Sequence, residues 1–178
     1  MSAKLPSEVN ALIDMITNDD IESVKSSSKL SLGNLYLWAY DPKHKATLEM
    51  YDTLPLVILL GVPKGQYILG INLHYIPWTY RINFLTSIQA KGTKVKYKDI
   101  IKAWKTAKIP GSYAVLAIRK YLVSHIKSNI RIFDNLEDQL EVTRNVLPHF
   151  EKKSMSAVYK IINNKLKSHR QKLKTKAK

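Results

Sequence analysis

The hydrophobic residues of this chain change period along its length, and each change marks an element. Near the start, Val9, Leu12, Ile13 and Ile16 recur at helical spacing behind Ser7, which is placed to cap, so a short amphipathic helix is expected before the Ser26, Ser27, Ser28 linker. Such a helix either docks as a detachable arm or packs on its own domain. From Leu35 to Tyr40 the period falls to two: Leu35, Leu37 and Ala39 alternate with Tyr36, Trp38 and Tyr40, predicting a strand with one aliphatic and one aromatic face. Asp41-Pro42 then turns the chain, because proline holds φ near the value a type I turn needs and Asp can accept from the amides that follow. Leu56 to Leu60 is unbroken apolar sequence between Pro55 and Gly61, the pattern of a strand covered on both faces. After a turn at Gly65, Tyr67 to Tyr75 alternates again until Pro77 stops it.

Beyond Pro77 the period lengthens. Trp78 to Gln89 carries Ile82, Leu85 and Ile88 on one helical face, with Arg81 and Asn83 on others. Lys91 to Lys98 alternates lysines with Val95 and Tyr97 around Gly92-Thr93 and reads as a basic hairpin or loop. Two helices are expected next, Asp99 to Lys108, ended by Pro110 and Gly111, and Ser112 to Leu122. Leu136 to Leu147 fits both periods, and Ser154 begins a helix with Val158, Ile161, Ile162 and Leu166 on one stripe. The sum is an α+β fold: a small, mostly antiparallel β-sheet or barrel core over about 35–76, with packed helices and a basic helical C-terminal tail. The expected division is an N-terminal arm and linker over 1–30, one core domain over 31–150 and the tail over 151–178.

A chain of 178 residues suits one core. It has no cysteine, so disulfides and thiolate metal sites are excluded and synthesis in a reducing cytoplasm is expected. Met1 to Glu8 lacks the apolar run of a secretion signal, and Leu54 to Val62 is far short of the roughly 20 residues of a membrane-spanning helix, so no membrane partner is expected. The net charge of +15 is unevenly placed. Residues 91–131 hold eleven Lys and Arg against one acid, and residues 151–178 hold ten against one, while residues 35–90 hold four against three. The strand-forming region and the positive charge are therefore largely separate along the chain.

No enzyme constellation stands out. His44, His74, His125, His149 and His169 lack metal-site spacing, GVPKGQ is not a phosphate-binding Walker loop, and no serine sits in a Gly-x-Ser-x-Gly elbow. Asp41, Glu49 and Asp52 are the one set that a two-metal nuclease would use; capping turns is their commoner work. No cofactor is expected. Tyr36, Trp38 and Tyr40 suit either a base-stacking platform or the core, and the core is the usual place for such residues. His74, on a strand, is expected to be a hydrogen-bonded structural histidine at a sheet edge.

The basic residues carry the stronger inference. Lys91, Lys94, Lys96, Lys98, Lys102, Lys105, Lys108, Arg119, Lys120, Lys127 and Arg131 form one dense segment, and Lys165, Lys167, Arg170, Lys172 and Lys174 lie in another. Lysine dominates and Asn and Gln are sparse among them, which suits attraction to a phosphate backbone rather than base reading. The alternative is a basic face for an acidic protein partner.

A run of motifs adds a resemblance. Tyr36, Tyr40, Asp41, Pro42, Lys43, Leu48, Tyr51, Asp52, Pro55, Leu56, Val57, Gly70, Asn72, His74, Tyr75 and Pro77 follow in the order of a Tyr/Trp strand, an Asp-Pro-Lys turn, Tyr-Asp-x-x-Pro-Leu-Val and Leu-Gly-Ile-Asn-Leu-His-Tyr. Ile118, Lys120, Tyr121, Leu122 and His125 form a looser echo of a basic Lys-x-Tyr-Leu-x-x-His segment. Together they resemble the DNA end protector or head-completion proteins of T-even-like contractile-tailed bacteriophages. The chain departs from that pattern at Glu49, where the family usually has proline, and in being shorter. The resemblance implies a virion protein that binds the ends of packaged double-stranded DNA, shields them from host exonuclease and helps complete the head beside head, portal or neck proteins. It leaves Tyr40, Asp41, Pro42, Lys43, Tyr51, Asp52, Pro55, Asn72, His74 and Tyr75 as motif residues of structural character. The competing expectation is an adaptor in the neck, tail or baseplate that binds protein and not DNA.

Overall fold

The computed structural model describes residues 30–61, 66–92 and 94–176. The expected N-terminal helix, its serine linker, the Gly65 turn and Thr93 lie outside these residues. Among the described residues, no helix is long and apolar enough to cross a membrane.

The fold is α+β, built on an open five-stranded sheet and not a closed barrel. Its strands are β1 (Leu35–Leu37), β3 (Leu56–Gly61), β4 (Tyr67–Asn72), β5 (Ile118–Leu122) and β6 (Arg131–Phe133), in the order β5-β4-β3-β1-β6, with every neighbouring pair antiparallel. A separate ribbon pairs β2 (Tyr51–Asp52) with β7 (Phe150–Glu151). The helices are α1 (Trp78–Gln89), α2 (Tyr97–Thr106), α3 (Ala114–Ala117), α4 (Leu136–Asn145) and α5 (Met155–Lys176).

Both faces of the sheet are covered, which is why β3 reads as continuous apolar sequence. Leu35, Leu37, Leu56, Ile58 and Ile71 face a core shared with Phe84, Leu85 and Ile88 of α1, Ile100 and Ala103 of α2, Val142 of α4 and Val158, Ile162 and Leu166 of α5. Tyr36, Trp38, Val57, Leu59, Ile68 and Tyr121 form a second cluster on the other face. That face is roofed by residues 123–130, which connect one edge strand, β5, to the other, β6, and contribute Val123, Ile126 and Ile130 to the cluster. Ser128, fully buried in this connection, accepts the Ala39 amide at 2.8 Å. The two faces expected from Leu35 are thus observed, with Tyr36 and Trp38 wholly in the core, but the strand itself ends at Leu37 and Tyr40 holds only an isolated bridge to Ile126.

Several expectations change in tertiary context. The strand expected to run to Tyr75 stops at Asn72, whose side-chain oxygen accepts the His74 amide at 3.0 Å and starts a 3-10 turn over Leu73–Tyr75. His74 is therefore on no strand and at no sheet edge; it is buried at the end of β4, which lies between β5 and β3. The lysine-rich stretch after α1 forms no hairpin among the described residues, and α2 begins at Tyr97. The helix expected over Ser112 to Leu122 divides into a 3-10 turn, the four residues of α3 and strand β5. Burial explains the division: Tyr121 pairs with Ile68 and fills the second cluster, which a helical course would not reach. Leu136–Asn145 resolves as a helix capped by Asn135, which accepts the Asp138 amide at 2.9 Å. Arg81, expected away from the apolar stripe of α1, is buried instead.

Candidate nucleic-acid interface

The chemistry-bearing residues gather at the β5 edge of the sheet. A cavity of about 500 Å³ opens there, lined by the loop Tyr40, Pro42, Lys43, His44, Leu48, Glu49 and Met50, by Tyr51 and Asp52 of β2, by Tyr67 and Asn72 of β4, and by Tyr75. All of β5 (Ile118, Arg119, Lys120, Tyr121 and Leu122) and Lys165 of α5 complete it. Residues far apart in sequence meet because β5 pairs along its whole length with β4, while α5, which follows the β2–β7 ribbon, reaches Glu49 of the loop through Lys165. Lys152, at a positive φ of 69°, donates to the carbonyls of Ala46 and Leu48 at 2.9 and 3.0 Å and ties the ribbon to that loop.

The floor is a buried polar cluster. Asp52 Oδ2 accepts from His74 Nδ1 at 2.6 Å and from Asn72 Nδ2 at 3.0 Å, and its Oδ1 accepts from the Leu54 amide at 3.1 Å. A carboxylate can only accept, so His74 carries a proton on Nδ1. Burial by itself would raise the Asp52 pKa, but the His74 charge and these hydrogen bonds outweigh it and hold the carboxyl below its ordinary range. Beneath the cluster, Arg81 Nε donates to the Ile76 carbonyl at 2.7 Å and fixes the chain leaving the 3-10 turn. Burial lowers its pKa, yet a guanidinium stays protonated.

The walls are tyrosines and cations. The Arg119 guanidinium lies 4.7 Å from the Tyr75 ring centre and Lys120 Nζ lies 5.6 Å from that of Tyr67, its diagonal neighbour across the strands. Tyr40 and Tyr121 meet edge to face at 5.0 Å, and the Tyr40 hydroxyl accepts the Leu122 amide at 3.2 Å. Burial pushes the Tyr75 hydroxyl up to about 12 against the pull of Arg119, and burial drives Tyr121 well above its ordinary value. Both hydroxyls therefore stay neutral near pH 7 and add no negative charge to the cavity.

Of the two carboxylates in the lining, Asp52 is engaged by His74, and Glu49 pairs with Lys165 at 3.1 Å. Among the described residues, Lys43, Arg119 and Lys120 have no carboxylate at ion-pair distance, and the buried Arg119 Nε has no hydrogen-bond partner. The cavity is thus electropositive with aromatic walls, a combination suited to phosphate and to the face of a base. Asp41, Glu49 and Asp52 do not assemble: Asp41 pairs with Lys45 at 2.8 Å, and each of the other two has its own basic partner. Among the described residues, no group of three His, Cys, Asp or Glu is placed to hold a metal ion.

The expected site residues fall into four groups. Tyr40, Pro42, Lys43, Tyr51, Asp52, Asn72 and Tyr75 of the motif line the cavity with Arg119, Lys120 and Lys165; Asp41, Pro55 and His74 do not line it, although His74 bonds Asp52, which does. Lys91, Lys94, Lys96, Lys98, Lys102, Lys105 and Lys108 are exposed before, along and just after α2 and do not line the cavity. Lys127 is exposed on the crossing connection, and Arg131 is half-buried on β6, at the opposite edge of the sheet. Lys167 and Lys172 are exposed on α5; the side chains of Arg170 and Lys174 lie outside the described set. The aromatic and basic cavity was not anticipated as a unit, although the alternation in Ile118-Arg-Lys-Tyr-Leu is a strand signal that would have placed Arg119 and Lys120 on a sheet.

No curated protein and no solved structure matches the chain. A family model described as phage T4 terminal DNA protecting protein matches residues 8–161, a span that takes in every strand, helices α1 to α4 and the first turns of α5 as well as both motif segments that meet at the cavity, and the chain belongs to that family.

Proposed function

We propose that this protein binds the ends of packaged double-stranded DNA without regard to sequence, shields them from host exonuclease and helps complete the phage head, where it contacts head, portal or neck proteins. Made in the host cytoplasm, it ends in the virion. The observation that carries this reading is the meeting of both motif segments of a DNA-protecting family at one electropositive, tyrosine-walled cavity. The mechanism is steric and electrostatic: lysines of α2 and α5 neutralise backbone phosphates, the bound protein covers the terminus, and an exonuclease cannot load. Lys91, Lys94, Lys96, Lys98, Lys102, Lys105, Lys108, Lys127, Arg131, Lys167 and Lys172 supply general phosphate attraction in this reading, and Arg119, Lys120 and Lys165 act at the cavity.

A second reading, a structural adaptor that binds protein, draws on the exposed Trp78, Val115 and Tyr159. One experiment separates the two. Binding to a short linear duplex and to the same sequence closed into a circle is measured across salt, with exonuclease protection followed in parallel and with added magnesium or manganese as a nuclease control. Tighter binding and protection on the linear duplex are expected. Absence of binding at low salt favours the adaptor.

A further inference from the structure

We infer that the cavity at the β5 edge receives the terminal nucleotide of one DNA strand, unpaired from its partner and carrying a phosphate monoester; this rests on the DNA-end reading above. Size comes first. At about 500 Å³ the cavity is of small-ligand scale, whereas a duplex with a major groove about 12 Å wide cannot enter it. One nucleotide at a time can.

Chemistry narrows the choice. A terminal monoester carries a charge of about −1.5 to −2 near pH 7, against −1 for each internal phosphodiester, and so gains more from a site with excess positive charge. Lys43, Arg119 and Lys120 supply that excess, because Glu49 and Asp52 are already engaged by Lys165 and His74. Arg119 and Lys120 are held over the rings of Tyr75 and Tyr67, so the cations are positioned before any ligand arrives. Tyr67, at 47% exposed, offers the ring on which an unpaired base can stack, which a base inside the helix cannot do. The lysines of α2 and α5 attract any stretch of duplex, and they do not distinguish an end from a middle. The cavity does, because only an end offers a frayed base with a monoester phosphate.

The test compares affinities of the full chain for three DNAs of one sequence: a duplex with a phosphorylated, unpaired 5′-terminal nucleotide, the same duplex without the phosphate, and a closed circle. The variants are Lys43→Gln with Tyr67→Leu, both exposed positions, and Lys102→Gln with Lys105→Gln and Lys108→Gln; circular dichroism melts confirm that each folds. The wild type is expected to prefer the phosphorylated end over the circle by about tenfold or more, and the cavity variant to bring that ratio close to one. The α2 variant weakens binding to all three DNAs and keeps the ratio. A 3′-phosphorylated duplex and free deoxynucleoside 5′-monophosphate as competitor distinguish which terminus is held. If the cavity variant keeps the wild-type ratio, or if neither a 5′ nor a 3′ terminal phosphate strengthens binding, the inference is overturned while DNA-end binding stands. If the wild type binds none of the three DNAs, the inference and the functional reading fall together.

Discussion

Asp52 concentrates the energetics of the motif in one side chain. It is fully enclosed, engaged by His74, Asn72 and the Leu54 amide, and its carboxyl sits below the ordinary value of 3.8. A carboxyl whose pKa is depressed on folding contributes stability that is complete above the unfolded value and is lost as pH falls through the folded one. Melting temperature should therefore decline below about pH 4 in the wild type, and less steeply for Asp52→Asn, which has no such group to titrate. At pH 7 that variant disturbs the bonds Asp52 accepts from His74, Asn72 and the Leu54 amide and should lose about 1–3 kcal/mol in urea unfolding. Gly70 is the second sensitive position. A Cβ there would stand 2.2 Å from Val57 Cγ1 and 2.9 Å from the Ile58 carbonyl oxygen, so Gly70→Ala should cost about 1–3 kcal/mol by the same assay. The glycine of the Leu-Gly-Ile-Asn motif thus answers to close packing of β4 on β3, beside Arg119, its partner on β5.

Among the elements, β5 lines the cavity along its whole length, and α5 reaches it through Lys165. Helix α5 buries Val158, Ile162 and Leu166 in the main core and reaches Glu49 through Lys165, so its first half is part of the packed structure. Leu166→Ala should lower stability by about 2–5 kcal/mol in denaturant unfolding, and Lys172→Ala, at an exposed position, should leave it unchanged within about 0.5 kcal/mol. The stripe that anchors α5 was legible in the sequence because 3.6-residue spacing is a local property. Helix α1 was legible for the same reason, with Pro77 ahead of it marking its start. β5 was not: Ser112 to Leu122 has no glycine or proline to break it, and what turns Ile118 to Leu122 into a strand is an open edge of β4 waiting for a partner. The end of β4 was missed for a different reason. The alternation runs on to Tyr75, while a single side-chain bond from Asn72 bends the backbone away.

Across the whole molecule, the positive charge that is split along the chain remains split in space. One group lines the cavity and a larger one lies along α2 and α5. If the larger group contacts phosphates, the logarithm of the duplex binding constant should fall linearly with the logarithm of salt concentration, and replacing Lys102, Lys105 and Lys108 by Gln should reduce the magnitude of that slope by about 2–3. A titration series between low and physiological salt reads this directly. An unchanged slope would show that these lysines do not contact phosphates. The motif residues that line the cavity, dispersed over the sheet, its ribbon and the loop between them, meet at one edge because β5 pairs with β4 while β2 and the loop before it lie against the same end of the sheet.

What the sequence determined by itself is what depends on near neighbours: the class of fold, the alternation of aliphatic and aromatic faces from Leu35 to Trp38, the covered strand β3, the helices with clear stripes, and the separation of the basic segments from the strand-forming region. Tertiary structure alone decided that Ile118 to Leu122 is a strand and the ambiguous Leu136 to Asn145 a helix, that Arg81 and His74 turn inward, and which of many basic residues share a cavity with the tyrosines of the motif. The reason is physical. Period and capping act over a few residues, but the pairing of β5 with β4, the crossing of residues 123–130 over the sheet and the docking of α5 are set by surfaces that exist only once the rest of the chain has folded.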